Sequence, residues 1–303
     1  MSAAATPLVS VILPFYNEVA FLHETIDSVL QQEYTNWEII LIDDAGSDAC
    51  TQIAKTYAEN WPDKILYTEH PNHVNKGLSA SRNVAIAKAK GELLAFLDAD
   101  DKWLPAKLKE QVQIFQQHPE VSMICEASNY WYSWEDKSVQ DNIIPIGAAP
   151  DKVYAPPALS LQLYPLGEGA APCPSAIIVR KEASVRHGNF EDSFTGYLQG
   201  YEDQVFLGKF YLNEVVYVSG ACNNLYRQRN DSLMHRMVAD GQYTNSRLHF
   251  LEWLKQYMAE ASIHYPEVNK QLALSIKQCK EPDLSFPNRV ISKLKKVLRQ
   301  LQS

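Results

Sequence analysis

The chain is expected to fold as an α/β protein with a mostly parallel central sheet, closed by C-terminal helices. Three observations point there. Short, continuous apolar runs alternate with segments of helical periodicity through the first hundred residues. Acids stand directly after two of those runs, and 46% of the 303 residues are hydrophobic, enough to bury a large core.

Taken in order, Val9 to Leu13 is a β-branched run closed by Pro14, and Phe21, Leu22, Thr25, Ile26, Val29 and Leu30 then recur at helical spacing. Strand followed by helix is the reading. The unit repeats with Glu38 to Ile42 as a strand and Asp48 to Tyr57 as a helix, for which Ser47 or Asp48 suits the N-cap. Ile65 to Thr68, Leu78 to Ala89 and Leu93 to Leu97 supply a third strand, a third helix and a fourth strand. Strands apolar on both faces and joined by helices make a parallel sheet covered on both sides, with right-handed crossovers.

Past Trp103 the pattern turns irregular and aromatic, with Tyr130, Trp131, Tyr132 and Trp134 close together and a Pro-rich connection from Pro145 to Pro157. Such rings serve as core or as a platform for a sugar ring, and most are expected in the core. Ser175 to Val179 and Val215 to Val218 read as strands flanking a helix from Asp203 to Leu212. After Asp240 the chain reads helical, with Leu248, Leu251, Leu254 and Met258 on one face. This divides the chain into residues 1–240, with halves meeting near 103 and 104, and a helical appendage over 241–303.

Composition excludes several classes. The final stretch Asn288 to Ser303 holds five bases and no acid, so the preceding chain carries −13 against −8 for the whole. A body that acidic argues against nucleic acid as a partner. The five cysteines are scattered, with no CxxC pair, which fits a reducing cytoplasmic compartment. No N-terminal leader pattern and no apolar run of about 20 residues is present. The basic tail has helical spacing through Val290, Ile291, Leu294, Val297, Leu298 and Leu301. It suits either peripheral contact with an anionic membrane face or packing on the protein or a second subunit.

Chemistry is expected at the carboxyl ends of the strands, where open α/β sheets bind ligands. Asp43 and Asp44 end the second strand; Asp98, Asp100 and Asp101 end the fourth. An acid there often only stops a strand or caps a helix, as before Pro105, but two clusters on one edge favour a site. Asp98 and Asp100, one residue apart, offer hard oxygens to Mn2+ or Mg2+. Tyr226-Arg227-Gln228-Arg229 adds guanidinium forks suited to phosphate.

Four segments in order resemble the motifs of family 2 glycosyltransferases: Val9 through Glu18 (VSVILPFYNE), Asp43 through Asp48 (DDAGSD), Asn75-Lys76-Gly77 with Ser81-Arg82-Asn83, and Asp98-Ala99-Asp100-Asp101. A fifth, Tyr201 through Phe206 (YEDQVF), is similar to that family's acid pair near the acceptor. The resemblance spans roughly residues 8 to 230. It implies the GT-A fold, a nucleotide-binding half like a Rossmann unit joined to an acceptor half, and an inverting transfer from a nucleotide-diphosphate sugar. UDP is the first expectation for the nucleotide. Pro14 and Tyr16 would border the base pocket near Glu18, Asp44 would accept from the base, and Asn75 and Arg82 would contact the nucleotide. Asp98 would touch ribose or metal, Asp100 would be the principal metal ligand, and Arg227 and Arg229 would close over the diphosphate. Asp203 would be the base, with Glu202 orienting it or binding the acceptor.

The implied acceptor is a saccharide or lipid-linked saccharide in cell-surface polysaccharide or glycolipid synthesis. Without a QxxRW-type motif or a membrane span, transfer of one sugar is expected rather than polymerisation. Two alternatives use the same architecture: a sugar-nucleotide pyrophosphorylase, which lacks its Gly-rich loop here, and a non-catalytic nucleotide-sugar-binding scaffold.

Overall fold

The computed structural model describes residues 6–281. In chain order it runs β1 (Val9–Phe15), α1 (Leu22–Leu30), β2 (Trp37–Asp43), α2 (Asp48–Asn60), β3 (Ile65–Glu69), α3 (Leu78–Lys88), β4 (Leu93–Phe96), β5 (Lys102–Trp103) and α4 (Lys107–Gln117). The second half adds β6 (Met123–Cys125), β7 (Ser128–Trp131), β8 (Asn142–Ile144), β9 (Lys152–Tyr154), α5 (Ala158–Gln162), β10 (Ile177–Arg180), α6 (Lys181–Arg186) and α7 (Glu202–Asn213). It closes with β11 (Val216–Val218), β12 (Asn224–Arg227), α8 (Leu233–Ala239), α9 (Tyr243–Glu260) and α10 (Pro266–Lys280).

Eight strands form one sheet in the order β3-β2-β1-β4-β10-β6-β11-β9. The first four are parallel, as the apolar runs require. Alternation sends Val9, Val11, Leu13, Ile39 and Leu41 to one face, against Leu22, Ile26 and Val29 of α1, and Leu108 and Val112 of α4. Ile12, Ile40 and Ile42 go to the other, against Ala85 and Ile86 of α3 and Phe206, Leu207 and Phe210 of α7. Each such aliphatic side chain, fully buried, stabilises the fold by roughly 1.5–3 kcal/mol.

Beyond β4 the sheet is mixed, because β10 runs antiparallel to both β4 and β6. The aromatic stretch, irregular by its sequence pattern, is partly a strand. It is β7 of a second sheet, ordered β5-β12-β7-β8, in which Tyr226 lies opposite Tyr130 and Arg227 opposite Trp131.

Helix α7 is buried nearly all round, Glu202, Gln204 and Lys209 included, which marks a helix enclosed on several sides. Its Val205 and Leu212 join a third cluster with Phe250, Leu251, Leu254 and Met258 of α9 and Leu272 of α10. The helices after residue 240 therefore brace the element that begins with Glu202 and Asp203. Among the described residues, no helix is long and apolar enough to cross a membrane. The basic stretch Asn288 to Ser303 lies outside them.

Candidate active site

In-register pairing sets Phe15 opposite Asp43 and Ile12 opposite Phe96, so the ends of β1, β2 and β4 share one edge of the sheet. The acids at that edge divide by role. Asp43 is buried, and its oxygens accept from the Gly46 N–H (2.7 Å), the Thr51 hydroxyl (2.5 Å) and the Tyr67 hydroxyl (3.1 Å). It fastens β2 to α2 and β3. Gly46 cannot carry a side chain, since a Cβ there would lie 1.9 Å from the Tyr16 carbonyl oxygen.

Asp44 accepts from the N–H groups of Lys76 (2.7 Å) and Gly77 (3.0 Å), while the Asn75 amide donates to the Asp44 carbonyl at 2.9 Å. The loop carrying Asn75 is thus hung on Asp44. Gly77, at φ 87°, is in the left-handed region that this turn into α3 needs. Tyr16 is 48% exposed at the rim. Pro14, expected to border the base pocket, is instead buried inside β1 opposite Ile42, so Tyr16 alone of that pair faces solvent.

Arg82 also departs from expectation. It is wholly buried, and its guanidinium spans Asp98 (2.6 Å) and Glu202 rather than facing a ligand. One side chain of α3 thereby joins the end of β4 to the start of α7. Burial pushes the Glu202 carboxyl up to about 7 despite the cation beside it, with the neighbouring Asp203 adding to the rise. Asp203 follows on the first turn of α7. Burial raises it to about 6, against hydrogen bonds from the Gln204 N–H (2.7 Å) and side-chain amide (3.2 Å). Among the described residues, no cation is ion-paired to it.

Asp100 is raised to about 6 by burial and by the charges of Asp98 and Glu18, against Arg229. Arg229 reaches Glu18 at 2.6 Å, Asp100 at 3.1 Å and Asp231 at 2.9 Å. Arg227, expected over the diphosphate, is 5% exposed and held elsewhere. Its guanidinium lies against Phe21 (4.4 Å), Trp131 (4.3 Å) and Trp134 (5.0 Å) and pairs with Glu24 at 2.7 Å. Its desolvated charge makes it part of the wall. Asp101 is buried and accepts from the Ser175 hydroxyl (2.5 Å) and the Arg227 N–H (2.9 Å). It ties β4 to β12 instead of capping α4.

The donor set fits a hard divalent cation. Asp98 and Asp100 present partly exposed carboxylates, and burial, with the charges of Asp98 and Glu18 beside it, raises Asp100, a cost that a cation would relieve. Among the described residues, no third His, Cys, Asp or Glu joins these two as a preformed ligand set.

Sequence reasoning missed Glu24, Ser175 and Gln204. Glu24 sits on an ordinary amphipathic helix, and its pairing with Arg227 bridges residues 203 positions apart. Gln204 stands in the sequence as one more residue of the Tyr201 to Phe206 segment. An amide directly after the acid pair Glu202-Asp203 is the signal that could have found it.

The family model described as "Glycosyl transferase family 2" matches residues 10–188. Over 107 residues the chain is 37% identical to an Escherichia coli protein named UDP-Glc:alpha-D-GlcNAc-diphosphoundecaprenol beta-1,3-glucosyltransferase WfgD, covering 35% of this chain and 40% of that one. The matched stretches span about 40% of the length of such curated relatives. In fold, the chain is similar to S. aureus TarS 1–349 solved with UDP-GlcNAc: TM-score 0.66, 19% identity, 97% of this chain and 78% of that one. It is also similar to mannosyltransferase PcManGT of Pyrobaculum calidifontis, solved with GDP-Man and Mn2+: TM-score 0.62, 18% identity, 97% and 81%. Both are likenesses of the GT-A fold that the motifs implied. With motifs, fold and a match over more than half its length in agreement, the chain belongs to glycosyl transferase family 2.

Proposed function

We propose that this protein is an inverting glycosyltransferase that moves a single sugar from a nucleotide-diphosphate donor, UDP first, to an acceptor hydroxyl. The observation that carries this reading is Asp203: a partly exposed carboxyl raised to about 6, paired with no cation, next to Glu202, which Arg82 binds together with Asp98. The residue next to a base poised near neutral pH is thereby tied through one guanidinium to an acid of the pair suited to a metal.

Asp203 takes the proton of the acceptor hydroxyl as that oxygen bonds to the anomeric carbon. The bond from that carbon to the diphosphate oxygen breaks on the opposite face, and its electron pair leaves with the diphosphate. Asp98 and Asp100 would hold Mn2+ or Mg2+, which when bound supplies Lewis-acid stabilisation of the departing diphosphate. Tyr16 lies at the rim where the base would enter, and Asp44 keeps the loop of Asn75 in place beside it. Arg229, ion-paired to Asp100 and Glu18, is the guanidinium free to exchange a carboxylate for a phosphate oxygen.

WfgD's name couples a UDP-sugar to a lipid-linked acceptor, and this supports placing the present reaction in cell-surface polysaccharide or glycolipid synthesis. The test measures UDP release and UDP binding together, with UDP-glucose and UDP-GlcNAc and Mn2+. Asp203→Asn is expected to keep UDP affinity and lose turnover by about 100-fold or more. Asp100→Ala is expected to weaken Mn2+-dependent UDP binding. Undiminished turnover in Asp203→Asn would remove Asp203 as the base.

A further inference from the structure

A cavity with about 20 Å3 open to water lies beside the helix that carries Asp203, lined by Ser160, Leu163, Gln204, Gly208, Tyr211 and Leu254 among others. Gln204, Gly208 and Tyr211 fall at i, i+4 and i+7, so one stripe of α7 forms a wall of it. Three atoms of the lining residues are polar, buried and without a hydrogen-bond partner: Ser160 Oγ, Gln204 Oε1 and the Tyr211 hydroxyl. That room exceeds the roughly 10–15 Å3 a water requires, and three polar groups are the usual complement of a buried one.

The orientation of Gln204 follows from chemistry. A carboxylate can only accept, so the amide nitrogen faces Asp203 Oδ2 at 3.2 Å and the amide oxygen is left toward the cavity. The backbone N–H of the same residue donates to Oδ1 at 2.7 Å. One residue thus clamps both oxygens of the carboxylate. Among the described residues, nothing else hydrogen-bonds that side chain to stop it turning.

We infer that Gln204 is a positioning residue for the base, and that a single water in this cavity holds it. The inference rests on the reading of Asp203 as the base. The Ser160 and Tyr211 hydroxyls donate to the water, which donates to Gln204 Oε1. That fixes the amide plane and hence the carboxylate plane. The other groups facing Asp203 are Glu202, Arg82 and Asp98, with the hydroxyls of Tyr130 and Tyr211 also within its field. None of these donates a hydrogen bond to it.

The test follows UDP release from UDP-glucose or UDP-GlcNAc, with Mn2+, in wild type, Gln204→Met, Gly208→Ala and Asp203→Asn. Gln204→Met keeps the length and loses both polar ends. It is expected to lower kcat about 10- to 100-fold with donor KM held within about 2-fold. The acid limb of its pH profile should also move upward, because a donor to the charged carboxylate is gone. Gly208→Ala fills the space instead: its Cβ would sit 3.5 Å from Leu254 Cδ1, an ordinary contact. It is expected to lower kcat several-fold while the melting temperature holds or rises, since alanine favours helix over glycine.

Wild-type turnover in both variants, with Asp203→Asn inactive, overturns the inference and leaves the base in place. Low turnover in Gln204→Met with wild-type Gly208→Ala keeps the positioning residue and overturns the water. An active Asp203→Asn overturns the base and the inference with it. Should Gln204→Met not fold, Gly208→Ala decides.

Discussion

At the level of single residues, function and stability oppose each other in the acid pair that opens α7. A carboxyl raised from 3.8 to about 6 is costly to ionise in the fold, at about 1.4 kcal/mol per unit. The folded state therefore binds a proton more tightly than the unfolded chain, so ionised Asp203 destabilises the protein above pH 6 and the cost vanishes below about pH 4. Asp203→Asn should raise stability at pH 8 by up to about 3 kcal/mol while abolishing turnover, measured by urea denaturation beside the UDP-release assay. An equal or lower stability would mean that the charge is well solvated. The same shift sets a kinetic expectation: turnover needs the ionised base, so kcat should fall as pH drops through about 6. A limb near 4 would point to an ordinary surface acid. The sequence showed that Asp203, Asp98 and Asp100 were present and ordered along the chain. It could not show that Arg82 and Arg227 are consumed by carboxylates from other elements, because the partners lie 120 and 203 residues away.

Among elements, what was legible follows from range. The four parallel strands and three helices of the first hundred residues are written in local periodicity, and the structure returns them within a few residues. Strands β7 and β12 were hidden because their pairing is non-local and neither short run, Ser128-Asn129-Tyr130-Trp131 or Asn224-Leu225-Tyr226-Arg227, alternates apolar with polar residues. The join between α3, β4 and α7 is likewise non-local, and it depends on Arg82. Replacing this cation by methionine leaves Glu202 buried and unpaired, with one oxygen already lacking a hydrogen bond. Breaking a buried pair from one side typically costs about 3–5 kcal/mol. The loss in Arg82→Met should be larger at pH 8 than at pH 6, because Glu202, already raised to about 7, escapes part of the cost by taking up a proton. A pH-independent loss in denaturant melts would show that lost packing against Phe190, not lost charge pairing, accounts for it.

For the whole molecule, the raised acids of the cleft and the lowered acids outside it should set where stability peaks. Glu202 at about 7 and Asp203 at about 6 favour the folded state increasingly as pH falls toward their unfolded values near 4. Glu24, Glu214 and Asp231 act in reverse: their lowered values stabilise the fold above pH 4 or so, and that contribution is lost as pH drops further. Between the two sets, the melting temperature should pass through a maximum near about pH 5, below the usual neutral plateau. A divalent cation changes the balance from one side only. With Asp100 raised to about 6, cation and proton compete for the same carboxylate. Mn2+ at 100 times its dissociation constant adds roughly 2.7 kcal/mol at a pH where Asp100 is ionised. Melts across pH 5 to 8, with and without Mn2+, should therefore show a stabilisation at pH 8 that shrinks toward pH 5 and is absent in Asp100→Ala. A Mn2+ effect that persists in Asp100→Ala would place the cation on other ligands. The acid cluster at the sheet edge would then be a purely structural clasp between the two halves.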